Sequence, residues 1–262
     1  MSDFIDLTSE QDRMGFFTDT TLCIGCKACE VACKEWNRLP ADGYEFTGES
    51  YDNTKELNGE TWRHVAFIEQ FDKRADTGRW LMESDVCKHC TQAGCLDVCP
   101  TGAIIRTEFG TVFIQPDICN GCGYCVVACP FGVIGEKHET NTMAKCTLCY
   151  DRLKTGEQPA CAKACPTESI QFGAVDELRE RAEKRLENVQ QRFDGAQLYL
   201  NDPNDGIGGG GSIFLLLDKP EVYGLPPDPI VPTRDLPERW RTAGIAAALL
   251  FGAVALCASI RK

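Results

Sequence analysis

The sequence predicts an α+β fold of two pseudo-symmetric modules, one of them permuted along the chain, with insertions and a single apolar helix at the C-terminus. Three observations predict it. Sixteen of the 17 cysteines in the 262-residue chain fall into four groups of four. The groups are equivalent to one another in two crossed pairs, and residues 243–260 form one uninterrupted small and apolar run.

The chemistry of the groups is plainest in the third, where Cys119 to Pro130 reads CNGCGYCVVACP. Gly121 and Gly123 let the loop wrap the thiolates of Cys119, Cys122 and Cys125 around one [4Fe–4S] cube. Cys129 starts a turn that faces away from that cube and must serve a neighbour; this three-plus-one run closed by proline is how bacterial ferredoxins hold their clusters. A ferredoxin-like module with two clusters is therefore the expected unit.

Along the chain, Gly15–Thr18 reads as a strand leading into the first group, Cys23, Cys26, Cys29 and Cys33, which has the spacing of the third but Lys34 in place of proline. Trp36 to Trp80 is acidic, aromatic and glycine-punctuated. It is too long for a bare connector and lacks helical periodicity, so it reads as a wrapping loop with one strand at 65–71. The second group is Cys87, Cys90, Cys95 and Cys99, with four residues between its middle cysteines and Pro100 behind it. Ala103–Arg106 and Thr111–Ile114 flank Gly110 as a hairpin that leads into the third group. The fourth group is Cys146, Cys149, Cys161 and Cys165, closed by Pro166, with eleven residues in its middle interval. A strand at 169–172 follows, then a helix on which Leu178, Ala182, Leu186, Val189 and Phe193 recur every three or four residues, ended by Asp194-Gly195. Gly206 to Gly211 reads as a flexible break and Ile213–Leu217 as a strand. Seven prolines between Pro203 and Pro237 point to an extended arm over another surface. The final run from Ala243 to Ile260, flanked by Trp240, Arg241, Arg261 and Lys262, would make a helix of about 27 Å against a hydrocarbon thickness of roughly 30 Å. It reads as one transmembrane helix; a buried core helix is the alternative. Cys257, within it, reads as a small hydrophobe.

The pairing of groups follows from their surroundings. The second ends Cys-Pro-Thr-Gly-Ala-Ile and the fourth Cys-Pro-Thr-Glu-Ser-Ile, each with an irregular middle interval and a strand after it. The first and third have regular spacing and a strand before them. "Second then third" is a complete two-cluster unit, so "fourth then first" is the same unit permuted. By the cross-over rule, one cluster takes Cys23, Cys26, Cys29 and Cys165, and the next takes Cys33, Cys146, Cys149 and Cys161. The third takes Cys87, Cys90, Cys95 and Cys129, and the fourth Cys99, Cys119, Cys122 and Cys125. Residues 1–80 then hold the first motif and its wrapping insertion and 81–135 one module. Residues 136–195 complete the other with 15–37, 196–240 form the arm, and 241–262 the membrane helix.

Composition narrows the function. Formal net charge is −12, and four oxidised cubanes, each about −2 with its thiolates, take the loaded protein to roughly −20. Nucleic acid and anionic lipid are poor partners for such a surface. Backbone N–H groups and Lys27, Lys88 and Lys145 are the expected compensation. Met1–Glu10 is acidic and lacks the apolar stretch of a secretory signal, and cubane assembly requires reduced thiols, hence folding in the cytoplasm. Zinc normally takes two CxxC pairs per tetrahedral site, a pattern that three-plus-one spacing suits poorly, although the long interval of the fourth group leaves a single zinc site open there. A disulfide scaffold does not suit a long chain without a signal. His89 could donate to a cluster sulfur, but reads as an ordinary surface histidine. No nucleophile–base pattern, phosphate loop or dinucleotide fingerprint is present, so no catalytic residue is assigned.

The four groups, the segment Ile24–Asn37, the run Cys146-Thr147-Leu148-Cys149 with Asp151-Arg152, and Tyr223-Gly224-Leu225-Pro226 resemble the iron–sulfur (beta) subunit of membrane-bound respiratory formate dehydrogenases. The resemblance implies a non-catalytic electron-transfer subunit with four [4Fe–4S] clusters. It would pass electrons from a molybdenum or tungsten pterin catalytic subunit to a membrane cytochrome b that reduces quinone. It implies the same cluster pairing and favours the non-cytoplasmic face of the membrane. The equivalent relay of another molybdopterin-family membrane oxidoreductase, a reductase or hydrogenase, is the alternative. The sequence departs from the family in ending directly after the apolar run, without the polar tail that some members carry.

Overall fold

A short strand with both faces buried divides the core in two. The structure is a computed structural model describing residues 13–46, 48, 50–72 and 77–260; the acidic stretch Met1–Glu10 and the flanking Arg261 and Lys262 lie outside them. In chain order the elements are β1 (Met14–Asp19), α1 (Ala28–Asn37), β2 (Arg63–Asp72), β3 (Thr77–Val86), α2 (Gly94–Asp97), β4 (Ile104–Arg106), β5 (Val112–Ile114), α3 (Tyr124–Val127), β6 (Gly135–Lys137), β7 (Thr142–Ala144), α4 (Tyr150–Leu153), α5 (Ala160–Lys163), β8 (Ile170–Ala174), α6 (Val175–Gln190), β9 (Gln197–Tyr199), β10 (Ser212–Leu216) and α7 (Leu236–Ile260).

The largest sheet has the order β8-β1-β10-β9, with β1 antiparallel to β8 and parallel to β10. Because side chains alternate along a strand, Phe16 of β1 and Phe214 and Leu216 of β10 enter the core that holds the cysteines. Phe17, Ile213 and Leu215 face the other way, onto Leu178, Ala182 and Val189 of α6. That helix starts at Val175, three residues earlier than its apolar stripe suggests, because β8 runs straight into it; Asp176 and Glu177 in its first turn suit the helix dipole.

Around this sheet the cysteine groups are built alike. β8, which follows the fourth group, pairs with β1, which precedes the first, and α1 packs on α5. β4, which follows the second group, pairs with β5, which precedes the third, and α2 packs on α3.

The structure departs from expectation in three places. The segment after Trp36 carries a ten-residue hairpin, β2 paired with β3 in register Arg63↔Val86 to Asp72↔Thr77, where one strand and a loop were expected. The second strand was hidden because the polar side chains of Glu83 and Ser84, on its two faces, are both buried and break the apolar alternation. Gly206–Gly211 is no flexible break: the Gly211 N–H bonds the Lys88 carbonyl, and the N–H groups of Thr91 and Gln92 bond the carbonyls of Gly209 and Ile207. Glycine is needed there for close approach, since a Cβ at Gly206 would lie 2.1 Å from the Pro229 carbonyl oxygen. The proline-rich arm packs on this chain itself, with Tyr223, Leu225 and Val231 buried and Val231 packed on Gly94.

The apolar run is helical as part of α7, which begins at Leu236, and Ile245, Leu249, Leu250, Phe251 and Val254 are exposed along it. Among the described residues, no helix is long and apolar enough to cross a membrane.

Candidate metal centres: four cysteine quartets

Each cysteine loop reverses the chain at the residue before its second cysteine, which is left-handed in all four: Gly25 at φ 66°, His89 at 43°, Gly121 at 71° and Leu148 at 57°. Two of these loops use glycine and two accept the strain of a side chain. The reversal turns the first two thiols of a group to one side; the short helix that follows adds the third cysteine to the same site and carries the fourth, one turn further on, toward a different one.

The resulting sets are compact. Cys23, Cys26, Cys29 and Cys165 line one cavity. Cys33, Cys146, Cys149 and Cys161 line a second. Cys87, Cys90, Cys95 and Cys129 line a third. The fourth set lies nearer the surface: burial and then negative charge on Cys119, Cys122 and Cys99 push the Cys125 thiol up to about 11, while Cys122 itself is exposed.

The sets run in series. α1 carries Cys29 to the first and Cys33 to the second, one helical turn apart, and the fourth group does the same with Cys165 and Cys161. Cys146 of the second has Cys87 of the third as its foremost charged neighbour. Cys95 and Cys99, then Cys129 and Cys125, link the third to the fourth. The ends are open, with exposed Cys26 at one and exposed Cys122 at the other.

The donor set fits iron–sulfur cubes. Burial pushes Cys29 and Cys95 up to about 12 and raises Cys33 and Cys146, with neighbouring thiols adding to the rise at the last two. Such thiols give up their protons only to a strongly positive centre. Among the described residues, no three His, Cys, Asp or Glu side chains are grouped closely enough to hold a single metal ion. A tetrahedral zinc would need its sulfurs about 3.8 Å apart, whereas a cube needs them spread around a larger body. Donors reach several of the sulfurs. The Met143 N–H lies 3.3 Å from Cys119 Sγ and the Leu148 N–H 3.4 Å from Cys146 Sγ; the Ser84 hydroxyl is 3.3 Å from Cys29 Sγ.

Of the three expected lysines, Lys145 is buried, and Cys87, Cys95 and Cys146 outweigh the effect of burial to raise its pKa. Lys88 is buried against Asp85 and the Phe214 ring, 4.5 Å from the centroid. Lys27 pairs with Glu30 and Asp52 at the rim of the first cavity. His89 is not a surface residue. It is buried in the wall of the third cavity, where its Nδ1 accepts the Val112 N–H at 3.2 Å. Nε2 therefore carries the ring proton, and it has no hydrogen-bond partner among the described residues. Sequence reasoning also passed over Arg63, a buried cation in the wall of the second cavity. Its signal was the alternation of β2, which puts residue 63 on the same inward face as Val65.

Comparisons with known proteins agree with this chemistry. Residues 22–103 and 78–175 each match a 4Fe-4S dicluster domain family, and two dicluster domains give four [4Fe–4S] clusters. The chain is 44% identical over 216 residues to the formate dehydrogenase iron-sulfur subunit of Haemophilus influenzae, covering 80% of this chain and 68% of the relative. It is 42% identical over 226 residues to the formate dehydrogenase-O iron-sulfur subunit of Escherichia coli, covering 84% and 73%. One subunit of the anaerobic dimethyl sulfoxide reductase of Escherichia coli is 36% identical over 174 residues, covering 64% of this chain and 77% of the relative.

Proposed function

Since the chain belongs to the formate dehydrogenase iron-sulfur subunits, we propose that it relays electrons from a molybdenum or tungsten pterin catalytic subunit oxidising formate to a membrane cytochrome b that reduces quinone. The observation that supports this reading is that three cysteine quartets each line a cavity, with Cys99, Cys119 and Cys122 neighbouring Cys125 beyond them, and that Cys26 and Cys122 are exposed. Each [4Fe–4S] cluster supplies a one-electron carrier at its quartet.

The residues of the chain do the rest. The sixteen cysteines, in the sets above, are the iron ligands of this reading. The helical turns joining Cys29 to Cys33 and Cys161 to Cys165 hold adjacent carriers at fixed separation. Phe16, Val65, Ile170 and Val112, all buried, keep water from the inner sites. Lys145 and Arg63 offset charge that would otherwise accumulate there.

Helix α7 is the membrane anchor of this reading. Its support is the exposed apolar surface of Ile245, Leu249, Leu250, Phe251 and Val254 and the apolar run itself; the side of the membrane facing outward is the one the family resemblance favours. The equivalent relay in a reductase remains the second reading, favoured by the dimethyl sulfoxide reductase relative. Freezing the intact complex after adding formate, and again after adding a reductase substrate to the prereduced complex, separates them. Formate should reduce all four cluster signals in the EPR spectrum. Reoxidation by an S-oxide or N-oxide, with no reduction by formate, would overturn the formate assignment.

A further inference from the structure

A buried guanidinium stands between the first two quartets. Arg63 opens β2, and only 1% of its surface is exposed. Its guanidinium lies over the Phe16 ring, 4.8 Å from the centroid, and forms part of the cavity wall beside Cys33, Cys146 and Cys161. Nη1 donates to the Ser84 hydroxyl at 2.9 Å and to the Ser84 carbonyl at 3.2 Å. That same hydroxyl is 3.3 Å from Cys29 Sγ and lines the first cavity. One side chain thus borders the second site directly and reaches the first through a single hydroxyl.

The rest of the guanidinium has no hydrogen-bond partner among the described residues. Nε and Nη2 are buried without a hydrogen bond, and Arg63 forms no carboxylate ion pair among the described residues. Burial opposes its charge, but Cys161, Cys29, Cys146 and Cys33 outweigh that effect and hold it positive. An unpaired buried charge is strongly unfavourable, so the side chain is built to face negative charge on the sulfur side of both quartets.

We propose that Arg63 sets the potentials of the two clusters it separates, its fixed charge favouring the reduced state of each. Reduction adds one negative charge to a site, and a cation held nearby in a medium of low dielectric constant stabilises that charge. Each cluster, once reduced, hinders reduction of its neighbour, and Arg63 offsets this hindrance on both sides, keeping the transfer between them close to level. In the step itself one cluster is oxidised and the next reduced by a single electron. No proton moves at Arg63, because a guanidinium does not titrate in this range.

The proposal rests on the relay reading above, and its test is a potentiometric EPR titration of the intact complex with Arg63→Met, Arg63→Gln and Arg63→Lys, each assayed for iron first. Fully loaded neutral variants should show two signals whose reduction equilibrium falls about tenfold, a downward shift of about 59 mV for one electron. The signal assigned through Cys122→Ser should not move, and Arg63→Lys should restore most of the shift. Full loading with all potentials unchanged would overturn the proposal while leaving the relay reading intact; absence of clusters from the unaltered protein would instead overturn the relay reading. If neither neutral variant loads, loading of Arg63→Lys alone supports a requirement for charge. Failure of Arg63→Lys as well would show that the site needs the guanidinium's shape, and the proposal would fall.

Discussion

Cys165 and Cys29 line the same cavity, although one closes the last cysteine group of the chain and the other belongs to the first. β8 and β1 bring them together, pairing antiparallel from Met14↔Ala174 to Thr18↔Ile170. On this account Cys165→Ser and Cys29→Ser perturb the same reduced-cluster EPR signal, and Cys129→Ser changes a different one. If Cys165→Ser altered the signal that Cys146→Ser alters, the crossed assignment would be wrong.

His89 offers a donor to the third site. With Nδ1 occupied by the Val112 N–H, the Nε2 proton is the ring's remaining donor, and His89 lines a cavity together with Cys87, Cys90 and Cys129. His89→Leu keeps most of the volume, and Leu148 already occupies the corresponding left-handed position of another loop. The variant should load its clusters, with one signal shifted to lower potential. Orphaning the Val112 N–H should also cost about 1–3 kcal/mol, read as a fall in Tm. Four unshifted potentials would remove His89 from the third site.

Much of this arrangement was legible because cysteine spacing and the strands beside it are local. The hairpin at 104–114 and the strand at Ile170 follow from residues close together in the chain. Arg63, β3 and His89 were not legible, because their polar side chains are inside for reasons that exist only after folding. Arg63 faces sulfurs from two cysteine groups, the first and the fourth, and His89 Nδ1 accepts a backbone N–H on β5. The glycines at 206–211 were misread for a related reason. Flexibility and close approach select the same residue, and only the bonds to Lys88, Thr91 and Gln92 distinguish them.

Gly121 tests the loop geometry. At φ 71° an L side chain is strained, and a Cβ would lie 2.3 Å from the Asn141 carbonyl oxygen. Gly121→Ala should therefore disturb the outermost set, with iron falling from about 16 toward about 12 atoms per chain and the other three signals retained. Full iron content would show that the loop tolerates the side chain.

Leu178 provides the opposite control. It is buried against Phe17, Ile213 and Leu215, on the face of the sheet away from the cysteines. Leu178→Ala should cost about 2–5 kcal/mol in thermal or denaturant unfolding, while the potentials of the loaded protein stay where they were. A shift in any potential would mean that the two halves of the core are coupled through the sheet.

The anchor reading is separable from the relay. A chain ended after Asp235 keeps the buried Val231 that packs on Gly94 and lacks α7. In the complex it should retain formate oxidation with a soluble dye and lose electron delivery to quinone. Equal loss of both would assign α7 to assembly, and undisturbed quinone reduction would remove it as the anchor.

The central claim is four cubes in one chain, and the most direct measurement is iron, acid-labile sulfide and zinc on anaerobically purified protein, followed by a reductive titration of the same sample. The account predicts about 16 iron and about 16 sulfide per chain, with about four electrons taken up in one-electron steps. Iron near half that value, or zinc in its place, would contradict it.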